Sequence, residues 1–537
     1  MNASPEILVL GAGPNGLTAA AYLARAGGAV TVLERNIETG GGLVTEELAG
    51  FRFNYHATYM MLAELMPPYG DLGLAQRGVE FIRPPEQVSF LFEDDAALTL
   101  HTDVALSAAS VKSLCPADAP RVEALLQDCA TMCDAFLIPA SYVPPLEPID
   151  QMVALNSAGA LGEKMAAMGD ITPGEFVAGY DIEDPRVEAA LLYLIAMFGL
   201  DPDEGGLGFL APIYLYRLTQ AALVRGGSHQ LSSVLRRVVE DAGGSVVVDA
   251  DVRELLWDGA RVTGVSLADG TALHADAVLS TLNPAQNFLE LGEDLPLDPM
   301  IRASASDWEW ERTSLFVANL GVVGAAPRYE GYPAEVDRSL NVVMGYETPA
   351  DVHDHLGEVA SGSLTSSAGH GTVCSLHDPL MAPGHVPFGE AHTLRYECLA
   401  PYDVDWDSEA EAFASRCIDL WARYAPNLRD ANVRASLNWT PADIEAHLPT
   451  MRRGSIKHGS YAILQMGYNR PNPECSGYRT PLDGLYLGGA STHPGGMVIL
   501  GAGYNAARVL AGDLGLDIWW SEPEIVTSAR AAGYLGD

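Results

Sequence analysis

The chain has 537 residues, 48% hydrophobic and 19% charged, with 31 Lys or Arg against 70 Asp or Glu and a formal net charge of −39. This apolar content supplies large cores over roughly two to four domain equivalents and excludes a disordered acidic solvator. The charge excludes a strongly basic nucleic-acid binder and sets the surface against polyanions and anionic membranes.

Residues 7–10 read as a short apolar strand that runs into Gly11-Ala12-Gly13-Pro14-Asn15-Gly16 and then a helical pattern over 17–26. In strand, GxGxxG, helix, Gly11 serves the tight turn, Gly13 lets a pyrophosphate approach the backbone, Gly16 lets helix and strand pack closely, and the helix N-terminus faces the anion. A second strand over 29–33 ends in Glu34, 18 residues after Gly16, where a carboxylate suits the ribose hydroxyls of an adenosine. The glycine cluster Gly40-Gly41-Gly42 then lets the chain pass along a longer dinucleotide than a nicotinamide one. With no basic region before residue 7, the first strand is no leader peptide, and a cytoplasmic location is the expectation. The longest apolar run, 189–200, is too short to span a bilayer, which needs about 20 residues.

Farther along, helical patterns over 119–136 and 185–198 mark a first insertion. Cys129 and Cys133 share a helix face there, and the seven dispersed cysteines, without CxxC spacing, argue against a disulfide framework and a structural zinc. Tyr193, Met197, Phe198, Tyr214 and Tyr216 offer either a hydrophobic pocket or plain core. Arg225-Gly226-Gly227-Ser228 opens an amphipathic stretch over 231–242, followed by a β meander over 245–267 and a buried strand over 276–281. A second insertion carries strands over 314–320 and 392–399 and a helix over 408–424. Its Asp351-Val352-His353-Asp354-His355 segment reads as exposed and polar, so no metal is expected. The third glycine-rich block, Gly484-Leu485-Tyr486-Leu487-Gly488-Gly489-Ala490 with Thr492-His493-Pro494-Gly495-Gly496, precedes a helix after Gly501-Ala502-Gly503. The tail after Trp519-Trp520 reads as polar, either loosely packed or in contact with another copy of the chain.

These three blocks together resemble the two-dinucleotide-binding-domain flavoproteins. Thr45-Glu46-Glu47-Leu48, Gly50-Phe51-Arg52-Phe53 and the terminal Thr-His-Pro-Gly-Gly segment are similar to the phytoene desaturase-related branch. The resemblance covers most of the chain. It implies an α/β fold with a discontinuous Rossmann-like FAD-binding domain over 1–65, 220–290 and 465–537, and a mixed α+β substrate domain over 66–219 and 291–464. Gly11, Gly13, Pro14, Asn15, Gly16, Glu34, Arg35, Gly41, Gly42, Leu43, Val252, Gly489, Ala490, Gly496 and Met497 would then hold FAD.

The implied chemistry is dehydrogenation of an apolar or cyclic molecule by hydride transfer to flavin N5. A redox-neutral isomerase, an amine oxidase with Lys457 as its lysine, and a non-catalytic flavin protein are the alternatives. A single GxGxxG leaves no nicotinamide site, so oxygen, a quinone or another carrier would take the electrons. A homo-oligomer is compatible with the sequence. Tyr55-His56 and Lys457-His458 fall in segments that the resemblance brings to the flavin, which makes His458, His56 and Tyr55 the candidate catalytic residues. His458 is preferred, on the expectation that the Lys457 charge lowers its pKa; the alternative for each histidine is a structural one bonded to backbone. His493 reads as a loop-shaping residue.

Overall fold

The computed structural model describes residues 4–536. Its first sheet is fully parallel, in the order Ser245–Val247, Ala29–Leu33, Glu6–Leu10, Ala277–Ser280, Leu485–Leu487. Strands far apart in sequence thus share one sheet. The central pair, β1 (Glu6–Leu10) and β2 (Ala29–Leu33), is joined by α1 (Pro14–Arg25), whose residues Gly16 to Ala24 are all buried. β1 has one polar residue at its start and four buried apolar ones after it, as a strand covered on both faces requires. α1 packs between helices Gly501–Asp513 and His229–Asp241, so both later blocks meet the first one directly. The meander forms as Val252–Trp257, Val262–Leu267 and Ala272–His274, antiparallel throughout, whereas Ser245–Val247, expected as its first strand, pairs with β2 at the edge of the parallel sheet because the helix His229–Asp241 returns the chain there.

The second sheet has seven strands in the order Asn432–Trp439, Ser314–Val323, Ala391–Ala400, Gly369–Val373, Asn341–Met344, Glu86–Leu91, Ala97–His101. All its pairs are antiparallel except Asn341–Met344 with Glu86–Leu91. Both insertions contribute strands to it. The rest of the first insertion is mainly helical, and Ala119–Met132 runs on into a π-helical turn at Cys133–Leu137. Cys129 and Cys133 are fully buried there. Among the described residues no helix is long and apolar enough to cross a membrane.

Two further expectations fail. The segment around His353 and His355 is not an exposed stretch but lies in helix Pro349–Ala360, whose period puts Val352, His355 and Val359 on the buried face. His355 there meets the Tyr346 hydroxyl at 2.7 Å and Leu399 O at 3.2 Å. The tail, likewise, is packed rather than loose. Trp519 stacks on Tyr22 of α1 at 5.3 Å, Trp520 is buried against the same ring at 4.8 Å, and helix Glu524–Ala531 buries Val526 and Ala529.

Candidate active site

A cavity of about 350 Å³ runs along the C-terminal end of the parallel sheet. Gly11, Gly13, Pro14, Asn15 and Gly16 line it at the start of α1, Glu34 and Arg35 at the end of β2, Gly41 and Gly42 beyond, Val252 at the start of the meander, and Gly489, Ala490, Gly496 and Met497 from the last block. Leu43 does not line it; it is fully buried in the core, its N–H donating to Gly40 O at 2.9 Å. Thr281, Gln286, Met451 and Val498 also line the cavity, and no short motif in the sequence marks them.

This cavity fits a dinucleotide. Gly13 and Gly41 face each other so closely that a Cβ on Gly41 would stand 3.1 Å from the Gly13 Cα, and a side chain on either would fill the groove. A Cβ on Gly16 would collide with Gly11 O, so only glycine lets helix and strand approach this closely. α1 has no side-chain cap, which leaves its first amides free for an anion. The Glu34 carboxylate accepts from Ala12 N–H at 2.8 Å and from Asn36 N–H at 2.9 Å, holding the two turns together, and burial raises its pKa.

A second cavity of about 390 Å³ adjoins the first, with Gly496 and Met497 in the wall of both. It lies between the last glycine-rich block and the helical first insertion. Its lining is mostly apolar, including Phe136, Leu155, Phe209, Ile213 and Ile499, and the tail adds Leu535. Among the described residues no Asp, Glu or Lys side chain lines it. Of the five pocket candidates in the first insertion only Tyr214 does so; Tyr193 is core, its hydroxyl 3.0 Å from the His370 ring.

The candidate catalytic residues separate. His458 lines the cofactor-sized cavity with its Nδ1 buried and unpartnered. Its pKa is pushed down to about 3 by burial and then by the Arg470 guanidinium, not by Lys457. Lys457 is instead consumed: its Nζ pairs with Glu311 at 2.5 Å and donates to Phe198 O and Gly199 O at 2.9 Å each. Tyr55 and His56 line neither cavity. They sit in an aromatic cluster, Tyr55 against Trp439 at 4.5 Å and His56 stacked on His447 with Nε2 3.0 Å from His447 Nδ1. Burial lowers the His56 pKa to about 3.

His493, read from the sequence as a loop-shaping residue, is bonded to backbone and also lines the apolar cavity. Its Nε2 lies 2.8 Å from Ala140 O, which assigns the proton to that nitrogen and leaves Nδ1 with a lone pair and no partner. The ring lines the apolar cavity, and burial pulls its pKa to about 4. Beside it, the Tyr461 hydroxyl accepts from Gly496 N–H at 3.0 Å and fixes the wall shared by the two cavities.

Comparison with known proteins agrees with this architecture. The model of the family described as flavin containing amine oxidoreductase matches residues 15–511. A limonene dehydrogenase component of Castellaniella defragrans, one of that enzyme's subunits, is 41% identical over 544 residues, spanning 99% of this chain and 98% of that protein. A neurosporene-forming phytoene desaturase of Rhodobacter capsulatus is 25% identical, spanning 94% of this chain and 93% of that one. The structure of cyclohexylamine oxidase from Brevibacterium oxydans superposes with a TM-score of 0.59 at 18% identity, over 95% of this chain and all of that one, and shows the shared fold. The chain therefore belongs to the flavin containing amine oxidoreductase family, is related to the phytoene desaturases, and is an FAD-dependent oxidoreductase of the dehydrogenase and desaturase type.

Proposed function

We propose that this enzyme dehydrogenates a small apolar cyclic molecule held in the 390 Å³ cavity, and that FAD occupies the adjoining channel. The observation that carries this is the join of the two cavities at Gly496 and Met497. The volume lies at the low end of small-ligand sites, which run from about 300 to 1,000 Å³, and suits a compact molecule better than a long polyene. The 41% identical relative is by name a dehydrogenase of limonene, a cyclic hydrocarbon, which supports the same class here. An amine substrate is disfavoured by the lining itself: it offers no carboxylate for an ammonium group and contains a buried arginine, Arg217.

In this reading Gly11, Gly13, Pro14, Asn15 and Gly16 hold the diphosphate, Glu34, Arg35 and Val252 the adenosine, Gly41 and Gly42 the ribityl stretch, and Gly489, Ala490, Gly496 and Met497 the ring system. Bound FAD supplies a two-electron hydride acceptor at N5. His493 takes the second hydrogen as a proton on Nδ1 while the carbon–carbon double bond forms. A pKa of about 4 is adequate for that step, because a C–H next to a carbon losing hydride is strongly acidic. The apolar walls exclude water, and Tyr461 holds Gly496 in place. Oxygen, a quinone or a protein carrier as acceptor, and a cytoplasmic location, belong to the same reading. The limonene dehydrogenase relative is by name one part of a multi-chain enzyme, which supports assembly with other chains.

Anaerobic mixing of the FAD-loaded protein with limonene-like cyclic alkenes, long polyenes and cyclic amines tests this. Bleaching of the flavin by the small cyclic compounds is the expected result. Bleaching by amines or long polyenes alone would overturn it.

A further inference from the structure

The apolar cavity contains one charge that the protein does not neutralise. Arg217, near the end of helix Ala211–Leu218, is 8% exposed and lines the cavity, yet its Nε is buried without a hydrogen-bond partner. Among the described residues it makes no ion pair, and the ionisable groups that act on it are Cys133, Tyr142, Tyr461 and Tyr214, with no carboxylate among them. The other deeply buried cations are all satisfied. Arg395 pairs with Glu397 at 2.6 Å, Lys457 with Glu311, and Arg470 donates to the carbonyls of Lys457, Gln465 and Ala490.

One further donor in the same wall is also unpartnered, the Tyr214 hydroxyl, three residues before Arg217 on its helix; His493 Nδ1, unpartnered as well, carries a lone pair and takes no part in holding an anion. A guanidinium does not shed its proton, and an isolated buried charge is costly, so the site is complete only when an acceptor enters the cavity. Positive charge also builds on a molecule that is losing hydride, which an unneutralised guanidinium would oppose. A carboxylate removes both costs and matches the forked donors of arginine.

We propose that Arg217 and Tyr214 anchor a carboxylate on the molecule that fills the apolar cavity, so that this chain acts on a small cyclic carboxylic acid in preference to a bare hydrocarbon. This rests on the dehydrogenase reading above and names its substrate class. The anchor orients the apolar body toward the wall at Gly496 and Met497, where the two cavities meet.

Calorimetric titration of the FAD-loaded protein with 4-isopropylcyclohexanecarboxylate, its carboxamide and 1-isopropyl-4-methylcyclohexane tests the anchor without turnover. The carboxylate is expected to bind about a hundredfold more tightly than the hydrocarbon, on the scale of a paired buried charge. Arg217→Met should abolish that preference, Arg217→Lys should keep part of it, and ligand-free Arg217→Met should melt at a higher temperature than wild type because a buried charge is gone. Equal binding of all three compounds, a carboxamide as tight as the carboxylate, or a preference unchanged in Arg217→Met would overturn the proposal. So would a shift of the flavin spectrum in ligand-free Arg217→Met, which would set the guanidinium against the cofactor. Flavin bleaching by cyclic hydrocarbons without carboxylate preference would sink the anchor and leave the dehydrogenase reading standing. Carboxylate-selective binding with no bleaching by any cyclic compound would do the reverse.

Discussion

The bond at Nε2 separates the two histidines that line the cavities, since the Nδ1 of each is left without a partner. His458 and His493 are both held neutral by burial, but only His493 has a nitrogen fixed as donor by a backbone carbonyl and the other left free beside the apolar space. His493→Ala is expected to retain FAD and slow anaerobic flavin reduction about a hundredfold in stopped-flow traces, on the scale of a lost general base. His458→Ala should slow it far less. The wild-type rate of reduction should be level from neutral pH downward and fall only toward about pH 4, where Nδ1 becomes protonated. A further expectation is that Gly13→Val, which fills the gap opposite Gly41, gives protein that purifies without yellow colour, read as lost flavin absorbance in the visible.

Between elements, the pairing of tail and α1 carries a consequence for cofactor retention. Trp519 lies under the Arg25 guanidinium at 3.6 Å and stacks on Tyr22, and Trp520, 4% exposed, packs edge-on against the same Tyr22 ring and against Trp519. α1 begins at the glycine turn, so the tail braces the helix whose N-terminus lines the dinucleotide-sized cavity. Trp520→Ala should lower stability by about 3–5 kcal/mol in denaturant titrations, the usual cost of emptying a buried tryptophan site. The variant should also release FAD at lower denaturant than wild type. Unchanged retention would mean that α1 is held by helices His229–Asp241 and Gly501–Asp513 alone.

At the scale of the whole molecule, stability should depend on pH through histidines that folding keeps neutral. His355 and His370 are 3% and 1% exposed, and burial moves each from the ordinary 6.5 to about 4. The unfolded chain therefore binds protons between those values that the folded chain does not. Their stabilising contribution is complete above about pH 6.5 and is lost as the pH falls toward 4, at about 1.4 kcal/mol per pH unit for each histidine. Melting temperatures measured from about pH 7.5 down to about pH 4.5 should fall accordingly, and His370→Gln should flatten the curve.

Local chemistry made much of the lining of the 350 Å³ cavity readable before any fold was known. Strand, glycine turn and helix are neighbours in sequence, and the steric demand that favours glycine at Gly16 and Gly41 is written in the residue types themselves. Two strands of the meander, Val252–Trp257 and Val262–Leu267, were equally legible, because alternation and Asp-Gly turns act over a few residues, but alternation could not tell that Ser245–Val247 joins the parallel sheet instead. What lies far apart in the chain was not. The sheet that pools Glu86–Leu91 with Asn341–Met344, the burial of His355 on a helix face, the docking of Trp519 and Trp520, and the removal of Tyr55 and His56 to a cluster with Trp439 and His447 all depend on packing between distant segments. The roles proposed for Arg217 and His493 belong to the same class. A side chain's charge and hydrogen-bonding capacity are properties of its type, but whether a partner stands within reach is decided only when the chain closes around it.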